Sequence, residues 1–359
     1  MPHKFAVILG TRPEITKMAP VIRELESAKA DYFIIHTGQH YSYNLDGVFF
    51  EQLKLPPAKY NLEAGSGSHG EQTARILAGV EKVLIDEGPD TVLVQGDTNS
   101  VLAGALAAAK LHIKVGHIEA GLRSYDRMMP EETNRVLADH CSDYLFAPTE
   151  PSKTILLGEG IPEERIFVTG NTIVDSINQN LGLAGESGDA LEMLGVKSGE
   201  YILATVHRQE NTDILERFSS IIEGLQRAGA EFNLPVIYPI HPRARKTLSE
   251  YGIDPSDLTL IEPVDFFGFL QLEHNARLIL TDSGGVQEEA CILKVPCVTM
   301  RDNTERPETV QVGANILAGV SPENIINSAR KMLGKSNDWQ NPLGDGKAAE
   351  RIVRIISKE

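Results

Sequence analysis

Short runs of consecutive apolar residues alternate along the chain with longer segments in which apolar residues recur every three or four positions. A continuous apolar run is typical of a strand buried on both faces, and the longer spacing is typical of a helix with one buried face. The pattern therefore predicts parallel sheets that are covered by helices. The predicted strands are "FAVIL", "YFIIH", "TVLVQ", "KVGHI", "YLFAP", "IFVTG", "YILATV", "VIYPI", "LTLIE", "LILTD" and "PCVTM".

The helical segments between these runs each carry one apolar stripe. Their apolar residues recur at the spacing of helical turns, which places them on one face of a helix. We expect these faces to pack against the sheets. The stripes consist of Met18, Val21, Ile22 and Leu25; Ile76, Val80, Val83 and Leu84; and Ile214, Phe218, Ile221, Ile222 and Leu225.

A single sheet built from all of these strands would be unusually large, so two doubly wound sheets are predicted. The fold class is thus α/β, with two Rossmann-like doubly wound domains that face each other across a cleft. We place the N-terminal domain at residues 1–169 and the C-terminal domain at residues 170–345, with the boundary near Gly170. A last helix, about residues 346–359, is expected to pack back on the first domain.

Polar and charged residues directly follow several predicted strands. Arg12 follows "FAVILGT", Asp97 follows "TVLVQG" and Glu119 follows "KVGHI". In the second half, His207 follows "YILATV" and the turn 283–285 follows "LILTD". Ligands of open parallel sheets bind at the carboxyl ends of the strands. Two sheets that face each other would bring both groups to one cleft, which predicts an active site between the domains.

The first of these turns, "GTRP", is unlike a dinucleotide-binding turn. A G-x-G-x-x-G turn presents bare glycines to a pyrophosphate, whereas this turn has Gly10 alone and places Arg12 where glycine is expected. A guanidinium forms paired hydrogen bonds to phosphate oxygens. We expect Arg12, with Lys17 on the same helix, to reach a pyrophosphate that is held mainly by the other domain.

Each carboxylate also has a purely structural interpretation. Asp97 would serve equally well as the N-cap of the helix that follows it. Glu119 would form an ion pair with Arg123, and Glu131, after Pro130 at a helix start, would complement the helix dipole. The sequence alone leaves these alternatives open.

Two features of the second half favour a phosphate site. His207 is followed by Arg208, and two cationic side chains at a strand end suit a phosphate better than a core. The segment "TDSGGVQEEA" is a glycine turn that opens a helix, where free amides and the helix dipole attract anions. The alternative for this segment is a plain glycine turn without a ligand.

The composition narrows the function to a soluble enzyme. The 359 residues carry a formal net charge of −16, which argues against nonspecific binding to nucleic acid or to an anionic membrane. No apolar run is long enough for a membrane helix. The three cysteines lack metal-ligand spacing and are expected to be reduced thiols in the cytoplasm. Neither a metal site nor a nicotinamide-binding motif is predicted.

The motifs "GTRPE", "TGQH", "QGDTNS", "HIEAGLRS", "PEETNR", "DSGGVQEEA" and "RDNTERPE" occur in this order. Together they resemble those of the non-hydrolysing UDP-N-acetylglucosamine 2-epimerases, over essentially the whole chain. That family has the GT-B architecture, with the nucleotide sugar between two Rossmann-like domains. After "QH" the chain departs from many bacterial members, since "YSYNLD" follows. Some of those members bind a second substrate molecule as an activator near this segment, and the resemblance leaves open whether this chain does.

The resemblance implies a role for each matching residue. Among the implied catalytic residues, the three carboxylates act as acid and base and the histidine lies beside the diphosphate: Asp97, Glu119, Glu131 and His207. The implied substrate-binding residues contact the diphosphate, the uracil or the ribose. Those for the diphosphate are Arg12, Lys17, Ser283, Gly284, Gly285 and Arg306; Phe269 meets the uracil, and Glu289 binds the ribose hydroxyls.

The implied activity is reversible epimerisation of UDP-N-acetylglucosamine to UDP-N-acetylmannosamine at carbon 2, in polysaccharide biosynthesis. It proceeds by elimination of UDP to 2-acetamidoglucal and re-addition, without a cofactor or a metal, and a homodimer is expected. The alternatives are a 2-epimerase for a modified UDP-sugar of the diacetamido uronic acid type, a GT-B glycosyltransferase, a hydrolysing 2-epimerase, and a silent nucleotide-sugar sensor. A sensor would need the phosphate site but not three acids.

Overall fold

The computed structural model describes residues 3–39, 43–185 and 188–358, and the chain forms two compact units. The first unit consists of Met1–Gln179 and Leu343–Glu359, and the second of Asn180–Pro342. The division lies later in the chain than the predicted boundary between residues 169 and 170. Tyr41 and Ser42, at the start of the segment that departs from the family pattern, lie outside the described residues.

The first unit contains a parallel sheet with the strand order β3-β2-β1-β4-β5-β6-β7. Helices cover both faces, so every residue of the central strand β4 is buried. This burial explains the continuous apolar runs in the sequence. The strands are β1 (Lys4–Leu9), β2 (Asp31–His36), β3 (Tyr60–Asn61), β4 (Thr91–Gln95), β5 (Lys114–Ile118), β6 (Tyr144–Ala147) and β7 (Ile166–Val168).

The helices around this sheet bury the predicted apolar stripes. All four stripe residues of the first helix are buried, as are those of the third. The helices are α1 (Arg12–Ser27), α2 (Tyr43–Gln52), α3 (His69–Glu87), α4 (Asn99–Lys110), α5 (Pro130–Cys141), α6 (Glu150–Gly158) and α7 (Thr172–Ala184), which crosses the division. A short 3₁₀ helix, Glu163–Arg165, precedes β7.

The second unit repeats the design with the strand order β10-β9-β8-β11-β12-β13, again parallel. Its central strands β8 and β11 are buried along their whole length. The strands are β8 (Ile202–Thr205), β9 (Val236–Pro239), β10 (Thr259–Ile261), β11 (Leu278–Thr281), β12 (Cys297–Thr299) and β13 (Asn315–Leu317).

One residue of the predicted stripe in the second unit is not buried. Ile214 is 45% exposed because it is the N-cap of α10 and lies outside the helical turns that face the sheet, whereas Phe218 and Leu225 are buried. The helices of this unit are α8 (Ala190–Leu194), α9 (Gln209–Thr212), α10 (Leu215–Phe232), α11 (Pro242–Tyr251), α12 (Phe266–Asn275), α13 (Gly284–Leu293), α14 (Pro307–Gln311) and α15 (Pro322–Leu333).

The last helix, α16 (Ala348–Ile356), belongs to the first unit and packs against α1. Its first amides are capped from α7, since the Asp175 carboxylate accepts hydrogen bonds from Ala348 N at 3.2 Å and from Ala349 N at 2.9 Å. Burial is the main cause that raises the pKa of Asp175, and these amide bonds oppose it. The end of the chain is therefore tied into the first unit by both packing and capping.

The predicted fold class, α/β with two doubly wound Rossmann-like sheets, is confirmed. Each predicted apolar run forms a strand, and β3 and β13 are additional short strands at sheet edges. In both sheets the strand order reverses next to the first strand, between β1 and β4 and between β8 and β11, and such switch points are where doubly wound sheets bind ligands. No helix in the described ranges has the length and apolar character that crossing a bilayer requires.

Candidate functional site

The switch point of the first unit brings three predicted site residues to neighbouring strand ends. Strand β4 pairs with β1 on one side and with β5 on the other. Arg12 begins the helix after β1, Asp97 follows β4, and Glu119 directly follows β5. The three residues therefore follow strands of one parallel sheet, as predicted, and the structure shows that these strands are neighbours.

Glu119 is held from three directions. Lys17 Nζ lies 2.7 Å from Glu119 Oε1 and 3.0 Å from Oε2, the Gln95 amide donates to Oε2, and Asn171 Nδ2 donates to Oε1 at 3.3 Å. The residue is 8% exposed, and its φ of +72° is a conformation that glycine favours and glutamate rarely adopts. Arg123 binds Asp139 instead, so the alternative of a Glu119–Arg123 pair is wrong.

Asp97 is not the N-cap of the helix that follows it. That position belongs to Thr98, whose hydroxyl accepts a hydrogen bond from the Ser100 amide at 3.2 Å. The Asp97 carboxylate instead binds Arg135 of α5, with Oδ2 2.7 Å from Nη2 and 3.0 Å from Nε. Asn134 Nδ2 donates to the Asp97 carbonyl at 2.9 Å. Asp97 thus keeps a half-buried carboxylate that faces a cation.

The two acids at the start of α5 differ in their surroundings. Glu132 is buried and accepts hydrogen bonds from Ser124 N at 2.9 Å, Tyr125 N at 2.8 Å and Arg135 Nη1 at 2.7 Å. Together these contacts lower the pKa of Glu132, although burial, the largest single effect, opposes them. Glu131 is half-buried and makes neither a hydrogen bond nor an ion pair with any described residue. Glu132 therefore anchors the loop, and Glu131 is available for a ligand.

Close packing explains the single glycine of the "GTRP" turn. A Cβ at Gly10 would lie 2.1 Å from Thr37 Oγ1 and 2.4 Å from Ser100 Oγ, two hydroxyls that are hydrogen-bonded at 2.8 Å. The Arg12 side chain is exposed, with its guanidinium carbon 5.8 Å from the centre of the Phe49 ring. The glycine is thus required by the fold, and the arginine is displayed at the surface of the turn.

A buried carboxyl group, Glu14, joins this turn to the next one. It accepts hydrogen bonds from Gly10 N at 2.8 Å and from the Thr98 hydroxyl at 2.6 Å. Burial raises the pKa of Glu14 to about 7, and the hydrogen bonds oppose this shift only in part. Glu14 therefore links the turn that carries Arg12 to the turn that carries Asp97.

Asp282, which directly follows β11, links the two turns of the switch point in the second unit. Its carboxylate accepts hydrogen bonds from His207 N at 3.1 Å, Arg208 N at 3.0 Å and Asn211 Nδ2 at 3.1 Å. The His207 ring, 54% exposed, places Nδ1 3.1 Å from Asp282 Oδ1. Although burial opposes ionisation, these contacts hold the pKa of Asp282 below its usual range. Asp282 thus orients His207 while remaining an anion.

The predicted glycine turn opens α13. Ser283 is the N-cap, and its hydroxyl accepts a hydrogen bond from the Val286 amide. A Cβ at Gly284 would come no closer than 3.7 Å, and one at Gly285 no closer than 3.9 Å, to any described atom. The fold would therefore accept side chains here, so the glycines leave room for a ligand at the helix N-terminus.

A cavity of about 280 Å³ lies beside this turn within the second unit. It brings His207, Phe269 and Ser283 together, as the resemblance implies. Its wall is mostly apolar, and Phe269 offers a half-buried ring that suits a flat base. The lining residues are Thr205, Val206, His207, Pro239, His241, Pro263, Val264, Phe269, Ser283 and Val286.

Glu289 and Arg306 each face a buried glutamate. Glu273, 1% exposed on α12, forms a hydrogen bond with Glu289, and burial followed by the Glu289 charge raises the pKa of Glu273 well above its usual range. The buried carboxyl group of Glu273 therefore favours its protonated form, in which it can donate a hydrogen bond to Glu289. Arg306 Nε lies 2.7 Å from Glu288 Oε1. The predicted roles of Glu289 and Arg306 toward ribose and phosphate stay predictions.

Several partners of the site residues were not identified from the sequence. Arg135 follows Glu131 by one helical turn, so the motif "PEETNR" carried a signal for it. Gln95 and Asn171 contact Glu119 across 24 and 52 residues of chain, and no local pattern marks such contacts. In the described part of the chain, no group of three or more His, Cys, Asp or Glu residues is arranged to hold a metal ion.

Comparisons with known proteins identify relatives that span nearly the whole chain. A family model described as UDP-N-acetylglucosamine 2-epimerase matches residues 23–357. The UDP-N-acetylglucosamine 2-epimerase of Methanocaldococcus jannaschii is 56% identical, with 99% of each chain covered. A UDP-2,3-diacetamido-2,3-dideoxy-D-glucuronate 2-epimerase of Pseudomonas aeruginosa is 42% identical, also with 99% of each chain covered.

A solved structure is similar over the same length. The crystal structure of the Methanocaldococcus jannaschii UDP-GlcNAc 2-epimerase in complex with UDP-GlcNAc and UDP matches with a TM-score of 0.88. That match covers 99% of this chain and 100% of the other at 56% identity. Family model, relatives and structure all span nearly the whole chain, and the chain therefore belongs to the UDP-N-acetylglucosamine 2-epimerase family.

Proposed function

We propose that the protein catalyses the reversible epimerisation of UDP-N-acetylglucosamine to UDP-N-acetylmannosamine at carbon 2. The observations that carry the proposal are the carboxylates Asp97 and Glu119, which follow the neighbouring strands β4 and β5 of the first unit, and Glu131 at the start of α5, the helix whose Arg135 binds Asp97. A relative 56% identical over 99% of both chains is a UDP-N-acetylglucosamine 2-epimerase. The homodimer and the cytoplasmic location stay predictions from the resemblance.

The reaction needs an elimination step because no carbonyl group activates the hydrogen on carbon 2 of the sugar. The bond between carbon 1 and the UDP oxygen breaks, carbon 1 gains oxocarbenium character, and a base removes the proton from carbon 2. The products are 2-acetamidoglucal and UDP. UDP then adds back to carbon 1 while an acid delivers a proton to the opposite face of carbon 2. The site must therefore supply a base, an acid and stabilisation of the diphosphate.

The first unit supplies the acid and the base in this proposal. The Lys17 ammonium beside Glu119 favours the ionised carboxylate, as a base requires. Arg135 forms an ion pair with Asp97, with Nη2 2.7 Å from Oδ2. Glu131 has no described partner and is free to exchange a proton with the sugar.

The second unit supplies the UDP site in this proposal. The amides at the start of α13 and the His207 ring suit the diphosphate, and the cavity beside them offers Phe269 for the uracil. Glu289, which is hydrogen-bonded to Glu273, suits the ribose hydroxyls as a hydrogen-bond acceptor. Arg12 and Arg306 complete the cations that we assign to the departing diphosphate.

Proton NMR of UDP-N-acetylglucosamine in deuterated water tests the proposal. We expect deuterium to replace the hydrogen on carbon 2 while the anomeric signal of UDP-N-acetylmannosamine grows, with no acceptor sugar present. A glycosyltransferase leaves the substrate unchanged under these conditions, and a hydrolysing enzyme releases free N-acetylmannosamine. Either result would overturn the proposal. A matched incubation after exhaustive chelation is expected to proceed at the same rate.

The 42% identity to the Pseudomonas aeruginosa enzyme supports one rival substrate. The same NMR experiment with UDP-2,3-diacetamido-2,3-dideoxy-D-glucuronate, at equal concentration, compares the two sugars directly. We expect kcat/KM to favour UDP-N-acetylglucosamine. The opposite preference would make UDP-2,3-diacetamido-2,3-dideoxy-D-glucuronate the substrate, and the reaction would still be an epimerisation at carbon 2.

A further inference from the structure

A buried histidine lies beneath the turn that carries Asp97. His117, on β5, is 1% exposed. Its Nδ1 lies 2.6 Å from Asp139 Oδ1, and its Nε2 lies 2.8 Å from the carbonyl oxygen of Gly96. Neither the chemistry proposed above nor the resemblance assigns this residue a role.

The partners of His117 determine its charge. A carbonyl oxygen only accepts hydrogen bonds, so Nε2 must carry a proton to bind Gly96. The other oxygen of Asp139 accepts from Gly121 N at 3.2 Å and lies 2.7 Å from Arg123 Nη2, which keeps that carboxyl group ionised. An ionised carboxylate also only accepts, so Nδ1 carries a proton as well. His117 is thus an imidazolium inside the fold.

The surrounding charges agree with this assignment. Burial opposes a charge on His117, but the Asp139 carboxylate outweighs it and raises the pKa of His117 above its ordinary value. The carboxylate of Glu119 acts in the same direction. Each of these carboxylates also binds a cation, Arg123 in the case of Asp139 and Lys17 in the case of Glu119. The imidazolium lies among these two carboxylates and two cations.

The hydrogen bond to Gly96 completes the support of the Asp97 turn. Gly96 has a φ of +85°, and its amide donates to the carbonyl of Ile118 at 3.1 Å, so His117 holds the other side of the same residue. The next carbonyl, that of Asp97, accepts from Asn134. The position of the Asp97 backbone therefore depends on His117 on one side and on α5 on the other.

We propose that His117 is a positioning residue for the epimerisation, which as a buried imidazolium fixes the Gly96 carbonyl and thereby the carboxylate of Asp97. The inference rests on the proposed function for the reaction that it serves. It predicts that turnover depends more on the hydrogen bond from His117 Nε2 to the Gly96 carbonyl than on the hydrogen bond from Nδ1 to Asp139.

A pair of variants separates the two hydrogen bonds. The amide nitrogen of His117→Gln reaches the place of Nε2, and that of His117→Asn reaches the place of Nδ1. We expect His117→Asn to lower kcat about 100-fold, the scale of a misplaced catalytic group, with UDP affinity little changed. His117→Gln is expected to retain more of kcat. His140→Asn, on the exposed side of α5, is the matched control and should behave as the wild type.

Nitrogen NMR of the wild-type protein with ¹⁵N-labelled histidine tests the charge without using activity. Both ring nitrogens of His117, assigned by their loss in His117→Gln, should be protonated at neutral pH. A single protonated nitrogen would overturn the imidazolium. If both variants had a lower melting temperature but the turnover per folded molecule of the wild type, the positioning role would be overturned. Absence of epimerisation in the wild type would instead reject the proposed function, while the nitrogen spectrum would still decide the charge.

Discussion

Both units join the two turns of their switch point through one buried carboxyl group, and the two groups differ in charge. In the first unit, Glu14 receives hydrogen bonds from one amide and one hydroxyl, and burial raises its pKa to about 7. In the second unit, Asp282 receives two amides, the Asn211 side chain and the His207 ring, and its pKa is lowered despite burial. The same topology therefore holds a carboxyl group that titrates near neutral pH in the first unit and a carboxylate that stays ionised at neutral pH in the second.

The strand order at the switch point is the same in both units, so it does not determine the charge of the buried carboxyl group. The difference lies in the hydrogen-bond donors around that group, which in the case of Asp282 include the His207 ring. The two units also differ in the groups that surround these carboxyl groups. The first unit displays acids, each beside a cation or without a described partner, whereas the second displays helix amides, a histidine and an apolar cavity. We therefore expect variants of the first unit to change turnover and variants of the second to change UDP affinity.

The largest expected effect is on turnover in the first unit. Asp97→Asn, Glu119→Gln and Glu131→Gln should each lower kcat by roughly 10²- to 10⁴-fold, because acid and base groups contribute on that scale. UDP affinity, measured by calorimetry, should stay near that of the wild type. Phe269→Ala should do the reverse and weaken UDP binding by about 1–3 kcal/mol, the typical contribution of a base stacked on an aromatic ring.

Glu132→Gln is the matched control for Glu131→Gln. Since Glu132 anchors the loop through Ser124 and Tyr125, its loss should lower the melting temperature and preserve turnover per folded molecule. If the two neighbouring glutamates gave the same kinetic result, Glu131 would be a helix-start acid and the division of labour between the units would fail.

A second large effect is expected at Arg12. The diphosphate gains negative charge as it departs, so Arg12→Ala should lower kcat about 100-fold while weakening UDP binding less. Arg12→Lys should recover part of the loss, because an ammonium lacks the planar fork of a guanidinium. Kinetics, calorimetry and thermal unfolding on the same variants separate this from a structural role. A variant with normal turnover per folded molecule but a lower melting temperature would place Arg12 among the structural residues of the turn.

Opposite dependences of stability on pH should distinguish Glu14 from Asp282. Glu14 has a raised pKa, so between pH 4.5 and about 7 the folded state binds more protons and stability falls as pH rises, by roughly 3 kcal/mol in all. Asp282 has a lowered pKa, so the unfolded state binds more protons below about pH 4 and stability falls with falling pH.

Urea unfolding across this range measures both slopes. Glu14→Gln should remove the decrease in the free energy of unfolding between pH 4.5 and 7. Asp282→Asn should remove the decrease below pH 4, and it should also lower the free energy of unfolding at neutral pH. An unchanged profile in Glu14→Gln would mean that the carboxyl group of Glu14 is ionised in the fold, and the contrast between the units would disappear.

The smallest effect compares one glycine from each unit. Gly10→Ala should destabilise the protein by about 1–3 kcal/mol, because the new methyl group would overlap Thr37 and Ser100. Gly284→Ala should leave the melting temperature unchanged, since its Cβ has room, and should weaken UDP binding. Equal loss of stability in both variants would show that the turn before α13 is required by the fold and not by a phosphate.

Most strands of the two sheets were predicted from the sequence because they are continuous apolar runs. Two strands, β3 and β13, are too short to form such runs and were missed. β3 has two residues and β13 has three, too few to show a period, and each forms by pairing at the edge of a sheet that already exists. Ile214 fits the helical spacing, yet it caps α10 instead of facing the core. Periodicity thus locates elements more reliably than it locates their ends.

For the site, strand ends could be predicted and side-chain partners could not. Topology alone places the residues after β1, β4 and β5 together, so Arg12, Asp97 and Glu119 were found. Glu14 and Asp282 were present in recognised motifs, but their burial and hydrogen bonds depend on turns that are distant in sequence. The ion pair of Lys17 with Glu119 spans 102 residues, which no local pattern encodes.

The return of the last helix to the first unit has a consequence for synthesis of the chain. Because α16 packs on α1 and is capped by Asp175, the first unit lacks part of its own structure until α16 has left the ribosome. The second unit, Asn180–Pro342, is a continuous stretch and is complete earlier. The second unit can therefore fold before the first is complete, and the carboxylates of the first unit acquire their full surroundings only after α16 has been synthesised.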